Sequence, residues 1–217
     1  MKKHVHNFLK LKDEIESFKN KLKKNIQIIV VTKKQNSHKI SDLIELGHND
    51  FAENYVDEAV EKNKVLRNKS LCWHFIGRIQ SNKIKLICEN FDWIHTLSNI
   101  KHAIKIHNIC ENIKKNIKVC IQINIDNEPT KNGIMPHDLD DFVNELSELK
   151  NLKLKGIMAI PNHDFKKNNS FKKMNDLFTR NKDFDILSMG MSNDYIDAIE
   201  NNANMIRIGQ YIFGERL

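Results

Sequence analysis

Near the start of the chain the apolar positions Val5, Phe8, Leu11, Ile15, Phe18 and Leu22 return at steps of three and four. That spacing puts them on one stripe of a helix and predicts an amphipathic helix ahead of everything else. The pattern then changes to short apolar and aromatic runs: IQIIVV at 26–31, DFAEN at 50–54, WHFIG at 73–77, DWIHTL at 92–97, KVCIQINI at 118–125, LKGIMAI at 154–160, DILSMG at 185–190 and MIRIG at 205–209. Each has the length of a strand. Helical patterns separate most of them, such as Leu139, Phe142, Val143, Leu146 and Leu149 between the fifth and sixth. Repetition of strand, helix, strand predicts a parallel sheet. Eight repeats without a second run of strands favour closure into one α/β unit, a (β/α)8 TIM-type barrel with an extra N-terminal helix. Spacing alone leaves an open doubly wound sheet as the alternative. No GxGxxG or GxxxxGK(S/T) occurs to support a nucleotide-binding version of it. With seven Gly, three Pro and no break in composition, residues 1–217 read as a single domain.

Composition changes this picture little. Hydrophobic residues make up 40% and charged residues 29%, ordinary for a soluble chain with a sizeable core. The net charge of +7 and pI near 9.1 raise the question of nucleic acid. The lysines, however, are scattered among asparagines and isoleucines, with no RNP, zinc-finger or basic-arm pattern, and AT-rich codon usage produces the same bias. No nucleic-acid partner is expected. Cys72, Cys88, Cys110 and Cys120 form no CxxC pair and no zinc spacing, so they read as reduced structural thiols. Charges at Lys10, Lys12, Asp13 and Glu14 interrupt any export signal, and no uncharged run is long enough to span a bilayer. A cytoplasmic location with no membrane partner is expected.

In a barrel of this kind the chemistry sits where the strands end at their C-termini. Lys33 follows the first strand, and alternation puts Ile29, Val31 and Lys33 on one side and Ile28, Val30 and Thr32 on the other. A lysine continuing an inward row in an apolar mouth loses hydration and becomes a nucleophile towards a carbonyl. Position alone favours the simpler reading, a solvated Lys33–Lys34 pair opening a helix. The loops SMGMSN at 188–193 and RIGQ at 207–210 end strands seven and eight, where barrels often bind phosphate. Small residues there, Ser188, Gly190, Ser192 and Gly209, let backbone N–H groups approach phosphate oxygens near the helix that starts around Asp194. They are equally readable as tight turns that need glycine. A lysine after strand one together with a phosphate cradle after strands seven and eight is more specific than either part.

At this point VVTK at 30–33, FAENYVDEA at 51–59, WHFIGRIQSNK at 73–83, QINIDNEPTKNGI at 122–134, GIMAIP at 156–161, LSMGMSNDY at 187–195 and IRIGQYIFGER at 206–216 resemble the pyridoxal phosphate homeostasis proteins, relatives of the barrel domain of alanine racemase. The resemblance covers nearly the whole chain. It implies a fold type III protein that holds pyridoxal 5'-phosphate as an imine on Lys33. Ser192 and the backbone around Gly190, Met191, Gly209 and Gln210 would hold the phosphate, with Ser188 in the same loop. Arg207 looks like the arginine that faces the pyridine nitrogen in racemase-type barrels, and its parity agrees, since Met205, Arg207 and Gly209 share a face. Asn54 is implied as a pocket residue. His74, in the middle of an aromatic strand, reads first as a hydrogen-bonded core residue. The sequence departs from the usual pattern at Ala52, where the family typically has Gly, and at Arg78, where Pro is common. These bear on loop geometry rather than on groups assigned to the cofactor.

An arginine at the pyridine nitrogen keeps that nitrogen unprotonated and makes the ring a poorer electron sink. Racemases of this type also use a tyrosine from an additional β domain, and the sequence up to Leu217 leaves no residues to build one. The expectation is therefore a carrier that takes part in cofactor homeostasis, monomeric, with cofactor-requiring apoenzymes as candidate recipients and no metal. The alternative is an amino-acid enzyme of racemase-like type.

Overall fold

Eight parallel strands pair in chain order, and the last returns to the first: β1 (Gln27–Val31), β2 (Asp50–Glu53), β3 (Cys72–Phe75), β4 (Trp93–Leu97), β5 (Ile117–Gln122), β6 (Leu152–Met158), β7 (Ile186–Ser188) and β8 (Met205–Ile208). The closing pair sets Ile29 opposite Arg207 and Val30 opposite Ile208. This is a computed structural model that describes residues 1–66, 70–162 and 164–215. The helices among these are α1 (Lys3–Leu22), α2 (Ser37–Glu45), α3 (Val56–Leu66), α4 (Ile84–Asn90), α5 (Ile100–Asn112), α6 (Leu139–Ser147), α7 (Phe165–Asn168), α8 (Ser170–Arg180), α9 (Tyr195–Glu200) and α10 (Gln210–Phe213). The barrel and the leading helix are those expected from the pattern. None of the helices is long and apolar enough to cross a membrane.

Alternation along the strands divides the core in two. Outward residues such as Val30, Phe51, Phe75, Ile94, Val119, Ile157 and Ile206 pack under the helices, whereas Ile29, Val31, Ala52, Trp93, Cys120, Met158 and Met205 fill the barrel interior. Ala52 takes its place in that interior fully buried, and Arg78 lies exposed in the loop after β3. Helix α1 buries His4, Phe8, Leu11 and Ile15, while Leu22 at its end is exposed. It packs against α10 and α2, filling the part of the outer ring that the four-residue α10 is too short to cover. Glu14 accepts hydrogen bonds from Tyr195 and Tyr211, at 2.6 and 3.3 Å, and Asn7 donates to the carbonyls of Tyr211 and Ile212, both at 3.1 Å. Asn36 and Asn99 cap α2 and α5 by accepting backbone N–H groups.

Strands β3, β5, β6 and β7 end before the apolar runs do, and for β5 and β7 the cause is visible. β5 stops at Gln122 because Asn124 turns the chain, with its side chain bonded to both N–H and C=O of Glu128. β7 ends at Ser188, although Met189 N–H still donates to Met205 C=O and Arg207 N–H to Gly190 C=O, so the ladder outlasts the regular strand.

Candidate functional site

A cavity of about 850 Å³ lies at the C-terminal ends of the strands, a size that suits a small aromatic ligand. Its walls include Lys33, Asn54, Met191, Ser192, Arg207, Gly209 and Gln210, and its apolar part includes Val31, Ile76, Met158 and Ile160. Lys33 stands two residues past the end of β1, half-buried, with Nζ 5.1 Å from the centroid of the Tyr55 ring. Lys34 differs. Its φ of 60° turns the chain away, the residue is exposed, and its N–H donates to Glu58 Oε1.

The turn carrying Lys33 is braced from outside the barrel. The Nζ of buried Lys62 donates to Thr32 C=O at 2.6 Å, to Glu58 at 2.7 Å and to Glu53, which also accepts the Thr32 hydroxyl. Burial pushes the Glu53 carboxyl up, against the pull of Lys62 and Thr32. No motif announced this brace. The only sequence signal was Glu58 and Lys62 one helical turn apart.

Across the cavity, Ser192 Oγ accepts Tyr211 N–H at 3.0 Å, joining the loop after β7 to the start of α10 and leaving the hydroxyl proton to donate elsewhere. Gly209 sits so close to β1 that an added Cβ would lie 3.1 Å from Val31 C=O. Met191 N–H is occupied by Asp194. Ser188 and Gly190 are not on the cavity wall. Gly190 is buried with φ +93° under α9, where a Cβ would meet that of Ala198 at 2.7 Å, and Ser188 lies fully buried beneath Arg207.

Arg207 is 3% exposed, and its NH1 donates to Ser188 Oγ at 2.7 Å while NH2 donates to Ala159 C=O at 3.0 Å. Burial lowers its pKa to about 10, against the through-space pull of the Asp194 carboxylate, which also lines the cavity. Behind Ser188 the contacts continue. His95 Nδ1 is 3.0 Å from Ser188 Oγ, His95 Nε2 is 2.9 Å from His74 Nδ1, and His74 Nε2 is 3.2 Å from Asp50 Oδ1. Both imidazoles are fully buried. Burial pushes both below the ordinary histidine value, His95 the further, so both are neutral. Although burial raises Asp50, the hydrogen bond from His74 leads the groups that outweigh it, Gln27 among them, and hold the carboxyl below its usual range. Thus His74 is a hydrogen-bonded interior residue and does not line the cavity. His95 was missed by sequence reasoning, although parity with Trp93 two residues earlier marks it as inward-facing.

Asp50, Cys72 and His74 also bring three donor atoms within 4.8 Å of one another at the barrel floor, a convergence that the cysteine spacings did not suggest. Burial, with the Asp50 and Asp92 carboxylates, pushes the Cys72 thiol up to about 12 and keeps it protonated, so these contacts are hydrogen bonds.

Comparison with known proteins agrees with this geometry. The family model described as "Alanine racemase, N-terminal domain" matches residues 7–217. The chain is 40% identical over 198 residues to the pyridoxal phosphate homeostasis protein of Buchnera aphidicola, covering 88% of this chain and 86% of the relative. It is 35% identical over 225 aligned positions to that of Escherichia coli K12, covering 98% and 96%. Among solved structures it is similar to PipY of Synechococcus elongatus with PLP bound, at TM-score 0.84 and 27% identity over 97% of this chain and 100% of that one. An alanine racemase of Clostridium difficile shares the fold, with TM-score 0.74 and 20% identity over 95% of this chain and 56% of that chain.

Proposed function

Because this chain belongs to the alanine racemase N-terminal domain family and, within it, to the pyridoxal phosphate homeostasis proteins, we propose that it binds pyridoxal 5'-phosphate on Lys33 and takes part in keeping the cytoplasmic supply of that cofactor. The observation that carries the reading is the opening of a half-buried amine, Lys33, and a buried guanidinium, Arg207, onto one cavity. When bound, the cofactor supplies an aldehyde that a lysine amine converts to an imine with loss of water. The residues fit such a group. Ser192 has a hydroxyl proton to donate to an anion, Gly209 lets the chain pass close against β1 on the cavity wall, and Gln210 N–H opens the helix that follows. Arg207, which can only donate, would suit an unprotonated ring nitrogen, and Val31, Ile76 and Met158 would offer apolar surface to the ring. Asn54 completes the wall beside Lys33.

Storage, buffering and delivery to apoenzymes are what a site that holds the aldehyde reversibly would serve. The test is borohydride reduction of protein incubated with pyridoxal 5'-phosphate, followed by peptide mapping. The expected adduct lies on Lys33. A colourless protein without reducible adduct overturns the reading, and an adduct on Lys34 overturns the residue assignment. Sustained amino-acid turnover or α-hydrogen exchange above a Lys33→Ala control would replace the carrier with the racemase-like alternative.

A further inference from the structure

We propose that Ser188, His95, His74 and Asp50 form a one-way hydrogen-bond wire through the barrel interior, and that these four are positioning residues that aim and charge-balance Arg207 from behind. The inference rests on the cofactor reading only for what Arg207 faces. The wire itself is independent of it.

The direction follows from the two ends. A guanidinium has no acceptor, so Arg207 NH1 must donate to Ser188 Oγ at 2.7 Å. An ionised carboxylate has no donor, so at the far end His74 Nε2 must donate to Asp50 Oδ1 at 3.2 Å. Between these ends a neutral imidazole carries one donor and one acceptor. With its proton on Nε2, His74 presents an accepting Nδ1, which receives His95 Nε2–H at 2.9 Å. His95 then presents an accepting Nδ1, which receives the Ser188 hydroxyl proton at 3.0 Å. Ser188, His95 and His74 each donate once and accept once along the line. Reversal would require either a protonated Asp50, which also accepts Gln27 Nε2–H at 2.9 Å and is 29% exposed at the floor of the barrel, or the Cys72 thiol donating to His74 Nε2 from 3.4 Å, a weaker bond than the one to the Asp50 carboxylate.

The consequence concerns a buried charge. Arg207 is buried, and although the Asp194 carboxylate on the same cavity wall acts on it through space, no hydrogen bond joins the two, so its N–H groups need aligned dipoles as partners. The wire provides three aligned dipoles with a full negative charge behind them. Together with the bond from NH2 to Ala159 C=O, it holds the guanidinium plane so that its remaining N–H groups face the cavity. Four strands contribute besides β8, namely β2, β3, β4 and β7, so the aim of Arg207 is set by the closed barrel rather than by its own strand.

Two measurements test this. Long-range 1H–15N NMR of the cofactor-free protein at pH 6, with assignments from His74→Gln and His95→Gln variants, should show both imidazoles neutral and protonated on Nε2. A cationic ring at either position, or an Nδ1–H tautomer such as would follow if the Cys72 thiol donated to His74 Nε2, overturns the wire. Ser188→Ala removes one oxygen atom and Asp50→Asn one charge. In each, with folding verified by circular dichroism, pyridoxal 5'-phosphate affinity should fall about tenfold, the low end for losing a hydrogen bond to a buried charge. The absorbance maximum of the bound cofactor should shift in the same sense as in Arg207→Ala. Unchanged affinity and spectrum in a folded Ser188→Ala protein, beside a changed Arg207→Ala protein, overturns the positioning role. Should the unmodified protein bind no cofactor, the functional reading fails, while the tautomers still decide the wire.

Discussion

Lys62→Met is a substitution whose cost can be worked from the brace behind Lys33. The ammonium of Lys62 satisfies Thr32 C=O at 2.6 Å, Glu58 at 2.7 Å and Glu53, whose side chain is 0% exposed. Methionine keeps most of the length and removes all three bonds. Breaking a buried pair by deleting one partner costs about 3–5 kcal/mol. Glu53 escapes part of this by protonating, since burial already pushes its carboxyl up, which places the expectation at about 3 kcal/mol. For a chain of this size each kcal/mol lowers Tm by about 2–4 °C, so the variant should melt roughly 6–12 °C below the unmodified protein. Replacing Glu53 by Gln as well exchanges the ion pair for neutral groups of similar volume and should recover most of the loss. Thermal melts followed by circular dichroism on both proteins and the Glu53→Gln single variant complete the cycle. A Lys62→Met protein melting at the unmodified temperature would refute the claim that this pair holds the turn after β1.

Two further outcomes follow from other parts of the barrel. Gly156 lies where β6 meets β7, with φ +155°, and a Cβ there would stand 1.8 Å from Ile186 C=O, so Gly156→Ala should force the two strands apart and yield insoluble protein; soluble material with unchanged melting would contradict the close approach. His48, His74 and His95 are all held below the ordinary histidine value of 6.5 by burial, so the unfolded chain takes up protons there that the folded chain does not. Stability is therefore full above about pH 6.5 and declines as pH falls below it, by up to about 1.4 kcal/mol per pH unit for each group, and urea melts at pH 7.5 and 5.5 with equal midpoints would exclude this.

Much of the cavity was legible because the signals are local. Short apolar and aromatic runs marked all eight strands, and parity placed Ile29 and Val31 inside, ahead of Lys33, and Arg207 on the inward face of β8. Where the reading went short, at the ends of β5 and β7, the cause was a turn: Asn124 folding onto Glu128 in one case and Gly190 bending at φ +93° in the other.

The order of apolar and polar residues along this chain is sufficient for its strands, its leading helix and the two loops beside Gly190 and Gly209, since each depends on neighbours a few residues apart. Which inward side chains meet is another matter. His95 and Ser188 are 93 residues apart and touch because β4 and β7 face each other across a closed barrel, a relation set by strand tilt and register rather than by either segment. The same holds for Asp50, which parity could call inward yet which becomes the acceptor at the end of a wire only because its register sets it level with Cys72, with His74 two residues further along. Burial of Arg207 is likewise a product of closure, for it is the surrounding seven strands that exclude water from it.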